Sequence, residues 1–356
     1  MNDSSISLKD IAAICGVSLS TVSKALNDYP DISRETAERI QKTAGELGYI
    51  KLPPIPKPPA ESSRRIGILF LKNEVTPFEE YYYQTIISSF SKMVSARGYE
   101  PVLFLDKKTS RSASVISRVL MQHPDGMCIL GLERNDAAVR ELLDRIPHII
   151  SIDHLLDQHQ CIMSSQDEGI LILMAYCRCK GHTRIAYFNT ENSLFNKRAR
   201  NAYIRYAKDM SLPSSYFINV SLPRTSEGSL SSIDGSHMKA ALARLLAMPD
   251  KPSCILCSDD FNAYICIREL ESIGLHIPED ISVAGFGAYS IHMGCRPYLT
   301  TMQPFPEKIG SRAAHDLIDS IEDPVSVRYQ PVYIEPVLVE GLSVKDLSLD
   351  KTAPLN

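Results

Sequence analysis

Several features that define other classes of protein are missing from this chain of 356 residues. No apolar stretch is long enough to cross a bilayer, which argues against an α-helical membrane protein. No signal peptide opens the chain, and its nine cysteines are odd in number and scattered. Because disulfide-rich secreted domains carry paired cysteines behind a signal peptide, we expect a reduced, cytoplasmic protein with no membrane contact.

The sequence also lacks the charge imbalance of a general polyanion-binding protein. Its formal net charge is −4, and residues 1–52 contain six Lys or Arg residues against seven Asp or Glu residues. A surface that binds DNA through bulk positive charge is therefore excluded. Contact with DNA would have to rest on oriented helix N-termini, hydroxyl groups and a few local phosphate contacts.

Sequence signals of catalysis and of metal binding are missing as well. The loop after the first predicted core strand reads Leu-Lys-Asn-Glu at 71–74, with no Gly-x-Gly-x-x-Gly motif, and no Gly-Lys-Ser/Thr phosphate loop occurs. The Cys254-x-x-Cys257 pair lies in an apolar run typical of a buried strand, without a Cys or His cluster spaced for zinc. These absences predict no cofactor, no metal ion and no enzyme activity.

The first informative stretch is residues 8–27, where helical spacing predicts two short helices around a turn at Gly16. Ser18 is placed to cap the second helix. A glycine at the turn readily adopts the positive φ that a sharp reversal needs. The residues predicted to pack inward are Leu8, Ile11, Ala12, Cys15, Val22, Ala25 and Leu26. This pattern is typical of a helix-turn-helix, although a generic helical hairpin has the same periodicity.

A third helix follows where a helix-turn-helix domain requires one. Ser33 is placed as its N-cap and Gly48 as its C-terminal stop. Its apolar stripe consists of Ile40, Ala44 and Leu47. Three helices within the first 50 residues favour a DNA-binding headpiece over an isolated hairpin.

Several sequence blocks resemble the lactose-repressor (LacI/GalR) family of transcription regulators. In the head they are SLKDIA at 7–12, GVS at 16–18, TVSK at 21–24, LN at 26–27 and ELGY at 46–49. Farther along, the blocks are IPEDISVAGF at 277–286, LTT at 299–301 and QP at 303–304. The two groups of blocks stand in the family's order, so the resemblance covers nearly the whole chain.

The resemblance implies a homodimer that binds double-stranded operator DNA through the second helix of each head. The positions that contact phosphates in the family are occupied here by Ser18, Thr21 and Asn27. The positions that read base edges are occupied by Leu19, Ser20 and Lys24. A lysine is suited to donate to guanine, whereas a leucine offers the apolar contact that a thymine methyl needs.

The expected domain order is a head, a linker, a large core and a tail. We assign residues 1–50 to the helix-turn-helix headpiece, 51–64 to the linker, 65–344 to a ligand-binding and dimerisation core, and 345–356 to a loose C-terminal tail. Five prolines predict an extended, semi-rigid linker. It lacks the hinge-helix motif that the family uses to wedge a leucine into the minor groove, so we expect loosely tethered heads that bend DNA little.

Within the core, apolar runs of five to seven residues alternate with helical segments. This alternation predicts parallel strands covered on both faces, as in an α/β fold. The pattern restarts near residue 181, which predicts two doubly wound parallel-sheet lobes. The resemblance implies that these lobes form a periplasmic-binding-protein-like core. It also implies a return to the first lobe near 299–321 and final strands of the second lobe near 332–339.

Ligands of parallel sheets bind at the carboxyl ends of the strands, so a small-molecule effector is expected between two such edges. The loops that reach this position contain Phe78, suited to stack on a ring, and Asp153 and Asp259, suited to accept from hydroxyl or ammonium groups. Arg198 and Arg200 are suited to bind a carboxylate or sugar oxygens. Each of the five has a structural alternative, either in the core or on a solvated rim.

Two motifs depart from those of the sugar-binding members of the family. Their Gly-Phe-Asp-Asp motif reads GFGA at 285–288, which removes both acids, and their Asn-Asp pair is replaced by Asp259-Asp260. We therefore do not expect the usual bidentate sugar clamp. A carboxylate at position 259 favours a donor-rich or cationic effector.

Two other functions fit parts of the sequence. A solute-binding protein would have the same core, but it would carry a signal peptide and no head. A nucleotide-dependent enzyme on Rossmann-like lobes would carry the phosphate-binding glycines that are missing here. The sequence as a whole predicts a cytoplasmic, effector-responsive transcription regulator, more specifically a repressor that binds a pseudo-palindromic operator as a homodimer.

Overall fold

The structure is a computed structural model that describes residues 8–26, 32–46, 62–71, 77–105, 112–132, 137–190, 195–220, 236–288, 298–323 and 330–349. The chain divides into two compact units. The first unit consists of Met1–Asn73 and Gly98–Ile149, and the second of Glu74–Arg97 and Ile150–Asn356. Among the described residues, no helix combines the length and the apolar character needed to cross a membrane.

Three helices come first, and helices then alternate with strands. The helices are α1 (Leu8–Cys15), α2 (Leu19–Leu26), α3 (Arg34–Glu46), α4 (Pro77–Ala96), α5 (Ser112–Met121), α6 (Ala137–Arg145), α7 (Gln166–Cys179), α8 (Phe195–Asp209), α9 (Ser236–Leu246), α10 (Asp260–Ser272) and α11 (Pro306–Glu322). The strands are β1 (Arg65–Phe70), β2 (Glu100–Leu105), β3 (Gly126–Leu130), β4 (Ile149–Ile152), β5 (Gln160–Ser164), β6 (Ile185–Thr190), β7 (Phe217–Val220), β8 (Cys254–Cys257), β9 (Ser282–Phe286), β10 (Thr300–Gln303), β11 (Val332–Ile334) and β12 (Val337–Val339).

The head forms the predicted three-helix domain. Its small hydrophobic core consists of Ile11, Ala12, Cys15, Val22, Ala25, Leu26, Ile40 and Ala44. Between α1 and α2, Gly16 has φ 63°, and the N–H of Val17 donates to the carbonyl of Ala12 at 3.1 Å. The turn therefore uses the left-handed conformation that favours glycine, as the sequence predicts. The predicted ends of the third helix at 47–48 lie outside the described residues.

The first unit contains three parallel strands in the order β3–β1–β2. Just before β1, the carboxylate of Asp125 accepts from the N–H groups of Ser63 and Arg64 at 2.9 Å each and from the hydroxyl of Ser62 at 2.5 Å. These bonds hold the last three residues of the expected linker on the core, so the core begins at Ser62 rather than at residue 65. The hinge-helix expectation concerns residues 47–61, which lie outside the described part of the chain.

The second unit contains strands of both lobes. In the first lobe β4, β5 and β11 pair in parallel, in the order β11–β5–β4. The second sheet has the order β7–β6–β8–β9–β10–β12, in which only β12 is antiparallel to its neighbour. The fold is thus a helical head followed by two parallel-sheet α/β lobes, as the sequence predicts.

The end of the chain differs from the expectation of second-lobe strands near 332–339. Val332–Ile334 pairs with β5 of the first lobe, and only Val337–Val339 pairs with β10 of the second sheet. The partner strand β5 is itself an addition to the predicted set, because its QCIMS sequence is too short and too polar to stand out as an apolar run. The consecutive strands β11 and β12, of three residues each, therefore belong to different sheets.

Helices α4 and α11 cross at very close range within the second unit. At Gly310 of α11, an added Cβ atom would overlap the hydroxyl of Ser89 and the carbonyl oxygen of Ile86. Near the ends of the two helices, Arg97 donates to the carboxylates of Asp319 at 3.2 Å and of Glu322 at 2.6 Å. Because Gly310 has no side chain, the backbones of α4 and α11 can approach closely. The ion pairs of Arg97 are partly exposed and therefore add little to the stability of this crossing.

The chain stays bonded to the second lobe beyond residue 344, the predicted end of the core. The imidazole of buried His182 lies 3.0 Å from the carbonyl of Lys345 through Nε2, and the N–H of Lys345 donates to the hydroxyl of Ser282 at 2.9 Å. Because a carbonyl only accepts, Nε2 must carry the proton. Together with the N–H of Leu347, which donates to the carbonyl of Lys180 at 2.8 Å, these bonds attach residues 345–347 to the second lobe, so the chain is not loose from residue 345 onward. The last seven residues lie outside the described part of the chain.

The Cys254-x-x-Cys257 pair fills the core, as the sequence predicts. Both thiols lie on β8 and are fully buried. The Sγ of Cys254 lies 3.7 Å from that of Cys177, and this contact, together with burial, raises the pKa of Cys254. Burial likewise raises the pKa of Cys257. Thiols that stay protonated in an apolar core are inert.

Candidate nucleic-acid interface and effector site

The N-terminus of α2 carries a cluster of hydroxyl groups. The Oγ of Ser18 accepts from the N–H of Thr21 at 3.1 Å, which is the cap that the sequence predicts. The same hydroxyl lies 2.7 Å from that of Ser20 and 2.8 Å from that of Thr21. Hydroxyls beside the unsatisfied N–H groups of a helix N-terminus suit a phosphate.

One face of α2 is exposed and chemically mixed. Leu19 is 46% exposed although it is apolar, and Ser20 and Lys24 are exposed beside it. The opposite face is buried in the head, so the orientation of the helix is fixed by packing. This exposed face offers a cation, a hydroxyl and an apolar group, which suit the acceptors and methyl groups of a major groove. Asn27 lies outside the described residues.

In the second unit, Asp153 follows β4 in an unusual backbone conformation. Its φ of 57° lies in the left-handed region, which is uncommon for residues other than glycine. The carboxylate accepts from the hydroxyl of Tyr82 at 2.8 Å and from the N–H of Ser164 at 2.9 Å. The ring of Phe78 stacks on Tyr82 with centroids 6.0 Å apart. Burial raises the pKa of Asp153 to about 6, although both donors and Arg198 act to lower it.

We expect Asp153 to make stability pH-dependent. Because its pKa is raised from 3.8 to about 6 on folding, the folded state binds the proton more tightly than the unfolded state does. The resulting contribution is complete below the unfolded pKa and is lost as pH rises through 6. Between pH 5 and pH 7, the unfolding free energy of the wild type should fall by roughly 1 kcal/mol relative to that of Asp153→Asn. Thermal unfolding of both proteins over this range measures the difference, and parallel curves would contradict it.

Phe78 occupies the space that a side chain at position 287 would need. Phe78 is 2% exposed and its ring lies against Gly287, whose φ is 133°. A Cβ atom at that glycine would overlap the ring. Position 287 carries the first acid of the Gly-Phe-Asp-Asp motif in sugar-binding members of the family that the sequence resembles. Here an aromatic ring takes the place of that carboxylate.

Asp259 has a structural role at the start of α10. Its Oδ1 accepts from the N–H of Asn262 at 2.8 Å, which caps the helix. Its Oδ2 accepts from the side-chain Nδ2 of Asn262 at 2.6 Å and from the hydroxyl of Ser258 at 3.1 Å. The residue is 3% exposed, and burial raises its pKa. Both oxygens are therefore engaged within the chain, which weakens the expectation of a cation bound there.

The two predicted arginines have different surroundings. Arg198 donates to Asp167 at 2.9 Å and stacks over the ring of Tyr333 at 5.1 Å. It also lines an open depression on α7 and α8. Arg200, two residues farther along α8, has its Nε buried and without a hydrogen-bond partner among the described residues. Its Nη2 makes one long contact of 3.4 Å, to the side chain of Asn201.

Metal chemistry finds no support in the described ranges. They contain no group of three or more His, Cys, Asp or Glu side chains that could hold a metal ion.

Two family profiles match separate parts of the chain. The profile described as "Bacterial regulatory proteins, lacI family" matches residues 7–51, which contain the three helices of the head. The profile of a "Periplasmic binding protein-like domain" matches residues 174–344, which contain the second sheet. The chain thus carries a LacI-family DNA-binding domain followed by a periplasmic-binding-protein-like domain. This combination is that of a transcription regulator rather than an enzyme, as the sequence predicts.

Curated relatives of this chain match it over nearly their full length. The HTH-type transcriptional repressor PurR of Vibrio vulnificus (strain CMCP6) is 26% identical over 321 residues, which cover 89% of this chain and 92% of that protein. The probable HTH-type transcriptional repressor ExuR of Bacillus subtilis (strain 168) is 24% identical over 328 residues, which cover 90% of this chain and 92% of that protein.

Solved structures show the same fold. The crystal structure of the lac repressor dimer bound to operator and the anti-inducer ONPF aligns with a TM-score of 0.64 at 20% identity, over 96% of this chain and 100% of that chain. The complex of the transcriptional regulator CelR with cellobiose aligns with a TM-score of 0.64 at 20% identity, over 95% of this chain and 100% of that chain.

The predicted effector residues of this chain fall into two groups. Phe78 and Asp153 meet through Tyr82, and the charge of Arg198 acts on the same carboxylate. The charges of Arg200 and Asp259 both act on the hydroxyl of Tyr187, a buried residue of β6. The two tyrosines are absent from the predicted set. Tyr82 follows Phe78 by one helical turn, so the sequence could have indicated that the two side chains lie together. Tyr187 lies in an apolar strand, and its sequence context predicts a core residue.

Proposed function

We propose that this protein is a homodimeric repressor that binds a pseudo-palindromic operator in the cytoplasm and responds to a small polar effector held by the second unit. The observation that carries the proposal is the exposed face of α2. Leu19, Ser20 and Lys24 are solvent-exposed on a helix whose other face is buried and whose N-terminus is capped by Ser18. Such a helix suits direct readout of a major groove.

The low charge of the head sets the expected binding mode. With few cations available, each head relies on the α2 N-terminus and its hydroxyls for phosphate contacts and on Lys24 for a base contact. Two heads double these contacts, and a two-fold dimer matches a two-fold operator. The binding should therefore depend on sequence more than a highly basic DNA-binding protein's does.

Support for the dimer comes from exposed apolar residues on β2. Leu103 is 48% exposed and Leu105 is 43% exposed on one face of the strand, while Phe104 is buried on the other. Helix α5 adjoins this strand, since Arg118 donates to the Leu105 carbonyl at 3.0 Å, and Met121 at its end is 62% exposed. Exposed apolar surface on an edge strand is typical of a protein contact.

We expect the double variant Leu103→Glu, Leu105→Glu to be monomeric at low micromolar concentrations at which the wild type is dimeric. Two buried like charges facing their copies across a two-fold axis would oppose association. Sedimentation equilibrium measures the oligomeric state. The control Ile273→Glu changes a residue of similar exposure (49%) in the second unit and should remain dimeric. A dimeric double variant would place the interface elsewhere.

The function itself is tested by fluorescence anisotropy of the full chain on duplexes from upstream of its own gene. A scrambled duplex of equal length is the control, and both are titrated over a salt series. Binding that is at least 100-fold tighter to one promoter duplex supports the repressor, since specific sites typically exceed non-specific DNA by about 10³-fold or more. Equal binding to both duplexes, with and without a metabolite extract, would instead support a solute-binding core without a DNA role.

A further inference from the structure

Two buried hydrogen-bond donors at the second sheet have no partner among the described residues. One is the hydroxyl of Tyr187, a residue that is fully buried on β6. The other is the Nε of Arg200 on α8. A buried polar group without a partner is costly, so folded proteins leave few of them. Two such groups of one kind in one place indicate a site that a ligand completes.

The fold brings the two donors to the same edge of the sheet. Tyr187 stacks on Tyr203 of α8 with ring centroids 4.9 Å apart, and the hydroxyl of Tyr203 donates to the carbonyl of Ile185 at the start of β6. Helix α8 runs back along the strand that precedes it, so Arg200 lies one turn nearer to the carboxyl end of β6 than Tyr203 does. That end of a parallel sheet is where ligands bind.

The carboxylate of Asp259, whose charge acts on Tyr187, is engaged in other bonds. Both of its oxygens accept from Ser258 and Asn262. The charge of Arg200 acts to lower the pKa of Tyr187 against a larger increase from burial, so the tyrosine keeps its proton and stays a donor.

We propose that Arg200 and Tyr187 form a subsite for an oxyanion group of the effector, either a carboxylate or a phosphate. A guanidinium with a buried N–H and a neutral phenol both donate, and an oxyanion accepts from both while it balances the charge of the arginine. The inference rests on the proposed effector site and names the class of molecule that this site takes. A neutral sugar would leave the partly buried guanidinium of Arg200 without a counter-charge among the described residues.

The test uses the smallest molecules that carry the group, because they do not depend on the rest of the effector. Thermal unfolding of the full chain is followed in sodium acetate, in sodium phosphate, in acetamide as the neutral counterpart of acetate, and in sodium chloride at equal ionic strength. We expect acetate or phosphate to raise the unfolding midpoint of the wild type by about 2 °C or more over chloride and acetamide. The anion that gives the larger rise in unfolding midpoint, acetate or phosphate, shows whether the subsite prefers a carboxylate or a phosphate group.

Variants assign the response to the subsite. Tyr187→Phe and Arg200→Gln should lose it, and Arg205→Gln should keep it, since Arg205 is an exposed arginine of the same helix. In chloride, Tyr187→Phe should unfold no earlier than the wild type, because it removes a hydroxyl that lacks a partner. An earlier transition would show that the hydroxyl has a structural partner and would overturn the proposal.

Two further results would also overturn it: equal midpoints in all four solutions, or an anion response that survives in both subsite variants. Operator binding is measured on the same preparations. Sequence-selective binding without an anion response defeats this inference alone, whereas an anion response without selective binding leaves the subsite standing and defeats the repressor.

Discussion

Replacing Lys24 by alanine is expected to weaken operator binding by about 10- to 100-fold, because a side chain that contacts a base edge contributes on the order of 1–3 kcal/mol. Lys24 is exposed on the same face of α2 as Leu19 and Ser20, and the helix is fixed by its buried face. The variant should also tolerate a substituted base pair at one operator position that the wild type rejects. Anisotropy titrations on the operator and on single-substitution duplexes measure both effects.

Lys42→Ala is the matched control for that variant. Lys42 is an exposed lysine of α3 in the same head, and its only described ion pair is a 3.9 Å contact with Glu46. Its removal changes the charge of the head by the same amount. A purely electrostatic contribution would make the two variants equally weak on every duplex. That result would contradict the assignment of α2 as the reading helix.

Gly310→Ala is expected to lower the free energy of unfolding of the second unit by about 1–3 kcal/mol. A side-chain rotation cannot relieve the clash, because one of the overlapping atoms belongs to the backbone. The added methyl group would overlap the carbonyl oxygen of Ile86 as well as the hydroxyl of Ser89. A hydroxyl can rotate away, but the carbonyl belongs to the regular hydrogen bonding of α4. Helices α4 and α11 must therefore separate, which weakens the packing around both. Thermal and denaturant unfolding of the full chain measure the loss.

The same substitution at Gly45 provides the contrast. Gly45 lies in α3, and a Cβ atom there would contact nothing within 4 Å. Alanine is the better helix former by roughly 1 kcal/mol, so Gly45→Ala should leave the second unit unchanged and stabilise the head. If Gly310→Ala proved as harmless as Gly45→Ala, the close crossing of α4 and α11 would be wrong.

The head was predictable because its determinants are local. The turn at Gly16 and the serine caps make their bonds within five residues, and the apolar stripes that pack together all lie within the three consecutive helices Leu8–Cys15, Leu19–Leu26 and Arg34–Glu46. The repeated strand and helix pattern predicted the two lobes for the same reason. The pairing of Val332–Ile334 with β5 depends on residues more than 160 positions away, and so does the bond between His182 and Lys345. Sequence spacing carries no signal for such contacts.

The candidate effector site was harder to predict than the fold. Loop position selected Phe78, Asp153 and Arg200 as candidates, and they stay predictions. Residue type alone could not separate a ligand contact from a helix cap, which is what Asp259 forms. Tyr187 has the opposite character, since its ring packs as core while its hydroxyl is left without a partner. Whether a polar atom is satisfied depends on its three-dimensional neighbours, and only the folded chain supplies them.

The contact between Phe78 and Gly287 constrains how this regulator can change its specificity. An aspartate introduced at position 287 alone would collide with the ring, so the acid can enter only after position 78 has become smaller. The two positions are therefore epistatic, and the order of mutation matters: Gly287→Asp alone meets the Phe78 ring in addition to the strain of a side chain at φ 133°, and a preceding Phe78→Ala removes the first of these two obstacles. Among descendants of this chain, an acid at 287 should be found only together with a small residue at 78.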